Sequence, residues 1–189
     1  MALIQEGNSK LKAAGMLMFN LPATKEVCSM ACPGCYAMKE QKRFPGVLIA
    51  REGRFTEAKK PDFVVKIQGE LDRKRRRPKY FRIHSSGEFF SQEYIDGWQQ
   101  VAEQNPDIIF YAYTKRCKDF NFEGVKALEN FILINSLQHK RMNYGPIEKA
   151  PIGVFVCPEQ RGAEVSCGID CNYCMTKTAQ ASAPFFVQH

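Results

Sequence analysis

No stretch of this 189-residue chain is apolar for long enough to cross a bilayer, and no basic-then-apolar segment opens it. The expectation is therefore a protein of the reducing cytoplasm, with no membrane partner. Length leaves no room for a second full-sized domain, although 44% hydrophobic residues suffice for one sizeable core. Histidine is scarce, and isolated histidines such as His84 and His139 are more often structural or solvated than metal ligands. The single tryptophan, Trp98, falls on the apolar face of a predicted helix and reads as core.

Cysteine, by contrast, is abundant, with eight in the chain. In a reducing compartment clustered thiols mean metal rather than disulfides. Cys28, Cys32 and Cys35 follow C-x3-C-x2-C spacing, and residues three or four apart in so tight a loop rarely reach disulfide geometry with one another. Three thiolates leave a four-position site incomplete, and an open position is where chemistry happens; the alternative is a zinc knuckle that only staples a loop. Cys157, Cys167, Cys171 and Cys174 follow C-x9-C-x3-C-x2-C spacing. Four thiolates close either an auxiliary [4Fe-4S] cluster or a structural zinc site, and Gly162 and Gly168 supply the tight turns. Cys117 stands alone beside Arg116 and Lys118 and reads as an ordinary free thiol and not a ligand, although the flanking cations could lower its pKa.

Apolar runs predict strands over Gly15 to Leu21, Tyr80 to His84, Asp107 to Lys115, Phe131 to Ser136 and Ile152 to Val156. Helical patches over 36–43, 46–58, 61–76, 91–105 and 122–129 separate them, the third with Pro61 in its first turn and the fourth capped by Ser91. Residues 1–13 read as a flexible arm or a short helix. Strand ends with polar tips, alternating with helices, argue for parallel β/α units whose site lies at the C-terminal edge of the sheet. Residues 1–156 form the core of this reading and 157–189 a cysteine-rich extension within one compact domain.

The net charge of +7 is concentrated in Arg73, Lys74, Arg75, Arg76, Arg77 and Lys79. Such a run is either a solvated helix end that suits the dipole or a contact to nucleic-acid phosphates. A second basic stretch holds His139, Lys140 and Arg141.

The cysteine loop, after a predicted strand and before a predicted helix, resembles the cluster-binding loop of the radical S-adenosylmethionine (SAM) superfamily. Members usually carry an aromatic residue just before the third cysteine; here Gly34 takes that position and Tyr36 follows the cysteine. The resemblance implies a shortened, open partial (β/α) barrel with Cys28, Cys32 and Cys35 on a catalytic [4Fe-4S] cluster, which with SAM yields a radical that abstracts hydrogen. It also implies a reducing electron donor such as flavodoxin or ferredoxin. Ser86-Gly87-Glu88 looks like the superfamily's Gly-Gly-Glu element, which binds the SAM amino group, while Tyr36, Thr114, Lys115, Asn135 and Ser136 fall where other parts of SAM are held.

Segments 32–37, 82–94 and 111–115 and the cysteine-rich tail also resemble a family of small bacteriophage proteins named after gene product eighty-eight. The resemblance implies an enzyme of the host-cell cytoplasm. Some phages that hypermodify thymidine encode small radical SAM isomerases, so DNA is the implied substrate. Two rival expectations remain: a non-catalytic zinc protein that binds nucleic acid, and a radical SAM enzyme acting on a peptide or small metabolite.

Overall fold

A computed structural model describes residues 2–7, 9–28, 34–137, 144–145, 150 and 153–187. Its centre is a five-stranded sheet with the strands in sequence order. β1 (Gln5–Glu6) runs antiparallel to β2 (Leu17–Phe19), with α1 (Ser9–Lys12) between them. From β2 the chain passes through α2 (Tyr36–Arg43), α3 (Pro45–Ala58) and α4 (Phe63–Asp72) to β3 (Tyr80–Ile83). Next come α5 (Gln92–Glu103), β4 (Ile109–Thr114), α6 (Glu123–Ala127) and β5 (Phe131–Asn135). β2 to β5 are parallel, so Phe19, Ile83, Thr114 and Asn135 bring their strands to one edge.

Side chains alternate across the sheet with period two, and the two faces differ in chemistry. Leu17, Phe19, Phe81, Ile83, Phe110 and Phe131 belong to the larger core, which α3, α4, α5 and α6 cover. Trp98 of α5 is fully buried there, edge-on to Phe19 at 5.5 Å and to Phe63 at 5.5 Å. Met18, Tyr80, Tyr111, Ile132 and Ile134 point the other way, toward Met175, Ala179 and Ala183 of the C-terminal segment. That segment carries α7 (Lys177–Ala181) and β7 (Phe186–Val187), the latter paired in parallel with β6 (Tyr144–Gly145).

Polar anchors hold the first described residues to α3 and α4 and the C-terminal segment to the sheet. Glu70 accepts hydrogen bonds from the backbone amides of Leu3 and Ile4, while Arg54 Nε donates to the Leu3 carbonyl. Gln180 accepts from the Leu133 amide on the outer edge of β5, satisfying a ladder donor that an edge strand leaves exposed. Lys177 Nζ donates to the carbonyls of Lys126, Leu128 and Phe131, just before and within β5.

Three expectations from the sequence are corrected. Of the two readings of residues 1–13, the flexible arm is corrected, because β1 is fixed against β2 and the segment before it is clipped by Glu70 and Arg54, while the short helix is present as α1. The strand expected at 152–156 is absent from its described residues, 153–156: Val156 makes one isolated bridge to Phe185, and Phe155 stacks on Tyr173 at 4.0 Å instead of joining the sheet. The third helix starts at Phe63, after Asp62 and not at Pro61, and ends at Asp72 before the basic run. Among the described residues no helix is long and apolar enough to cross a membrane.

Candidate functional site

At the C-terminal edge of the sheet, the turn after β3 is strapped to both flanks of the cysteine loop. Asn20, buried at the exit of β2, accepts hydrogen bonds through Oδ1 from the amides of Ser85 (2.7 Å) and Ser86 (3.1 Å). Ser86 Oγ donates to the Leu21 carbonyl, and the Leu21 amide donates to the Ser86 carbonyl, each at 2.9 Å. From the far side of the loop, the Tyr36 hydroxyl donates to the Ser85 carbonyl. Gly87 is required in this turn: its φ is +95°, and an added Cβ would lie 2.5 Å from Leu21 Cβ.

Glu88 follows, buried, with a filled set of internal partners. Its Oε1 accepts from Thr114 Oγ1 (2.8 Å) and the Phe89 amide (2.9 Å), and its Oε2 from the Lys115 amide (2.9 Å). Burial raises the carboxyl pKa, and the hydrogen bonds from Lys115, Phe89 and Thr114 oppose that rise. The carboxylate thus ties the ends of β3 and β4 together. Ser136 continues the line, its amide donating to the Thr114 carbonyl at 2.8 Å, while Asn135 Oδ1 accepts from the Leu137 amide at 2.9 Å.

Of the catalytic cysteines expected from the sequence, Cys28 and Cys35 are half-buried at this edge and not in disulfides, with Cys35 at the N-cap of α2. Cys32 lies outside the described residues, as do His139, Lys140, Arg141 and Ile152. His84, the last residue before the turn, has a φ of +63°, a conformation costly for a non-glycine side chain. It is buried against Phe89 and Tyr94, its Nε2 is 2.8 Å from the Tyr94 hydroxyl, and burial lowers its pKa to about 3.

The second thiol group lies across the opposite face of the sheet. Cys157, Cys167, Cys171 and Cys174 are all half-buried, none in a disulfide, and on the wall of one cavity of about 280 Å³. Gly162 and Gly168 take φ of +86° and +83°, and the Gly168 amide donates to the Cys171 carbonyl at 2.8 Å. Burial raises the Cys167 thiol pKa, with Cys157 and Cys171 adding to the rise, and burial pushes Cys174 up to about 11. Among the described residues no group of three or more His, Cys, Asp or Glu is already gathered closely enough for a metal ion. The donor set nonetheless fits a metal centre, because soft thiols without a competing disulfide surround one space.

Tyr36 and Ser85, from the helix and the turn that flank the cysteine loop, line this same cavity. A larger cavity of about 550 Å³ sits apart, along α4, lined by Leu3, Glu57, Lys66 and Arg73 and bearing no thiol. Cys117 is a free, half-buried thiol, and burial raises its pKa, outweighing Lys126, so the flanking cations do not activate it.

The basic run begins where α4 ends and leads into Tyr80, at the N-terminal end of β3, opposite the strapped turn. Arg77 is committed within the protein, to Asn105 (2.6 Å) and to Asp107 (3.0 and 3.1 Å). Arg73, Arg75, Arg76 and Lys79 are exposed and Lys74 half-buried. Two residues of the site had no signal in the sequence: Asn20, whose partners are 65 and 66 residues away, and Arg82, whose place on the cavity wall depends on strand register.

No solved structure matches the chain. The Gene 88 protein of Mycobacterium phage L5 is 33% identical over 104 residues, and that of Mycobacterium phage D29 is 29% identical over 103. Each match covers 51% of this chain and 43% of the relative, so the chain spans less than half the length of these relatives. The family described as Gene product 88 matches residues 2–166, and the chain belongs to that family.

Proposed function

We propose that the chain is a radical SAM enzyme built as a shortened, open partial (β/α) barrel, acting on a nucleic-acid base, with a modified thymidine of phage DNA as the substrate. Cys28, Cys32 and Cys35 would hold a [4Fe-4S] cluster, and Cys157, Cys167, Cys171 and Cys174 an auxiliary one. Reduced by an external electron donor and with SAM bound, the first cluster would supply a radical able to remove hydrogen from a substrate.

The observation that carries this reading is the shared cavity: Tyr36 and Ser85, beside the cysteine loop, and the four C-terminal thiols face one space. The strapped turn keeps the loop's flanks in place, so a ligand at this edge meets preformed backbone. Because the Glu88 carboxylate is occupied by Thr114, Lys115 and Phe89, its role is to fix the strand ends, and the SAM amino group would meet the backbone of Ser86 and Gly87. The side chains of Lys115, Asn135 and Ser136 remain the candidates for the carboxylate and ribose.

A polymer substrate accommodates the position of the basic run. β3 has four residues and spans about 13 Å, roughly four base-pair steps, so one nucleic acid can touch both ends of the strand. A base in a duplex would be flipped out to reach the cavity.

The test is anaerobic SAM cleavage with reductant, scored as 5′-deoxyadenosine, together with DNA binding at low salt. Cys32→Ala is expected to abolish cleavage and leave DNA affinity intact. Replacing Arg73, Arg75 and Arg76 with alanine is expected to reduce the slope of log affinity against log salt by about 0.9 for each phosphate no longer neutralised. Undiminished cleavage by Cys32→Ala would overturn the catalytic assignment, and a negligible affinity for DNA would redirect the substrate to a peptide or small metabolite.

A further inference from the structure

Arg82 sits where a packed sheet face has no use for a cation. Its neighbours Phe81 and Ile83 point into the helix-covered core, and alternation turns Arg82 to the thiol-lined cavity. The guanidinium lies 5.9 Å from the ring centroid of Tyr111 and 5.6 Å from that of Tyr113. Its Nε is buried without a hydrogen-bond partner, and among the described residues no carboxylate forms an ion pair with it. Arginine does not shed its proton to escape such a position, and a half-buried cation without a counter-anion is costly.

We propose that Arg82 is the counter-cation of an anionic tetrathiolate centre formed by Cys157, Cys167, Cys171 and Cys174. The inference rests on the reading of these four thiols as a metal site. Four neutral thiols offer Arg82 no negative charge, whereas a divalent ion or a [4Fe-4S] core on four thiolates carries a net charge of about −2. Tyr113 stands between the two sides, its ring beside the guanidinium and on the wall of the same cavity as Cys174. Arg82 is thus a positioning and charge-balancing residue that favours deprotonated thiols when metal arrives.

The test uses the full chain with Cys28, Cys32 and Cys35 changed to serine, so that the four C-terminal thiols are the clustered set that remains. Cobalt(II) is titrated anaerobically and followed by thiolate-to-cobalt absorption, in the Arg82 protein, Arg82→Met and Arg82→Lys. Thermal unfolding of the metal-free proteins is measured alongside. Arg82→Met is expected to weaken cobalt binding about 10- to 100-fold, the range for residues that support metal ligands from behind. Arg82→Lys is expected to recover most of the affinity. Metal-free Arg82→Met is expected to unfold at the same or a higher temperature, because it has lost an uncompensated cation; a residue needed only for packing would lower it. Equal cobalt affinity in Arg82 and Arg82→Met, or a fall in metal-free stability that parallels the loss of affinity, would overturn the inference alone. Failure of the Arg82 protein itself to bind cobalt through these thiols would overturn the four-thiol reading and the inference with it.

Discussion

The two faces of the sheet are made by alternate residues of the same strands, yet packing decides one and polar groups mark the other. On the helix side Phe81 and Phe110 meet Trp98 in an aromatic core with ring centroids 5.4 and 6.4 Å from the indole. One residue along, Arg82 and Tyr111 face the cavity of about 280 Å³ with four thiols on its far wall. A face optimised for stability fills its space with apolar rings, whereas this one keeps a cation, phenols and thiols around a gap. The difference separates the part of the molecule that holds the fold from the part that is open to chemistry.

The sharpest way to break this comparison is to remove a ring from the helix face and a polar group from the cavity face. Trp98→Ala is expected to destabilise the protein by about 3–5 kcal/mol in denaturant unfolding. Tyr113→Phe, in metal-free protein, is expected to cost less than about 1.5 kcal/mol, the worth of one hydrogen bond. Comparable losses would mean that both faces are structural.

The helix side should also carry an acid sensitivity through His84. Its folded pKa of about 3 lies below the ordinary 6.5, so the unfolded chain binds the proton more readily between those values. Stability is therefore full above about pH 6.5 and falls as pH drops toward 3. About 3 kcal/mol is expected to be lost between pH 7.5 and pH 4, and His84→Asn should flatten that part of the profile. A slope unchanged by the substitution would assign the acid sensitivity elsewhere.

At the edge where the faces meet, Gly87→Ala is expected to cost about 1–3 kcal/mol, from its left-handed φ and the collision with Leu21, read as a lowered unfolding temperature. The smallest effect belongs to the exposed surface: Arg77→Ala, which loses the ion pair to Asp107, should cost no more than about 1 kcal/mol.

How much of this was legible in the sequence depended on how local each determinant is. The runs ending at Phe19, Ile83, Thr114 and Asn135 announce strands by their own composition, and Ser91 marks the start of α5 by a cap to the Tyr94 amide three residues on. β1 has no such signal, because Gln5 and Glu6 are polar and become a strand through pairing with Met18 and Leu17. Residues 153–156 misled in the opposite direction, since an apolar composition serves a ring stacked on Tyr173 as well as a strand. The spacing of the cysteines is local and visible, but Asn20 and Arg82 act through contacts set by the register of β2, β3 and β4.

The central claim, that two thiol groups on one sheet serve two iron–sulfur centres, is tested most directly by metal analysis. Iron, sulfide and zinc would be measured in anaerobically purified protein, in the triple serine variant of Cys28, Cys32 and Cys35, and in the quadruple serine variant of the C-terminal set. The account expects about eight irons per chain, with about four lost in each variant. Zinc in place of iron at both sets, persisting after iron–sulfur reconstitution, would contradict it and leave a structural metalloprotein.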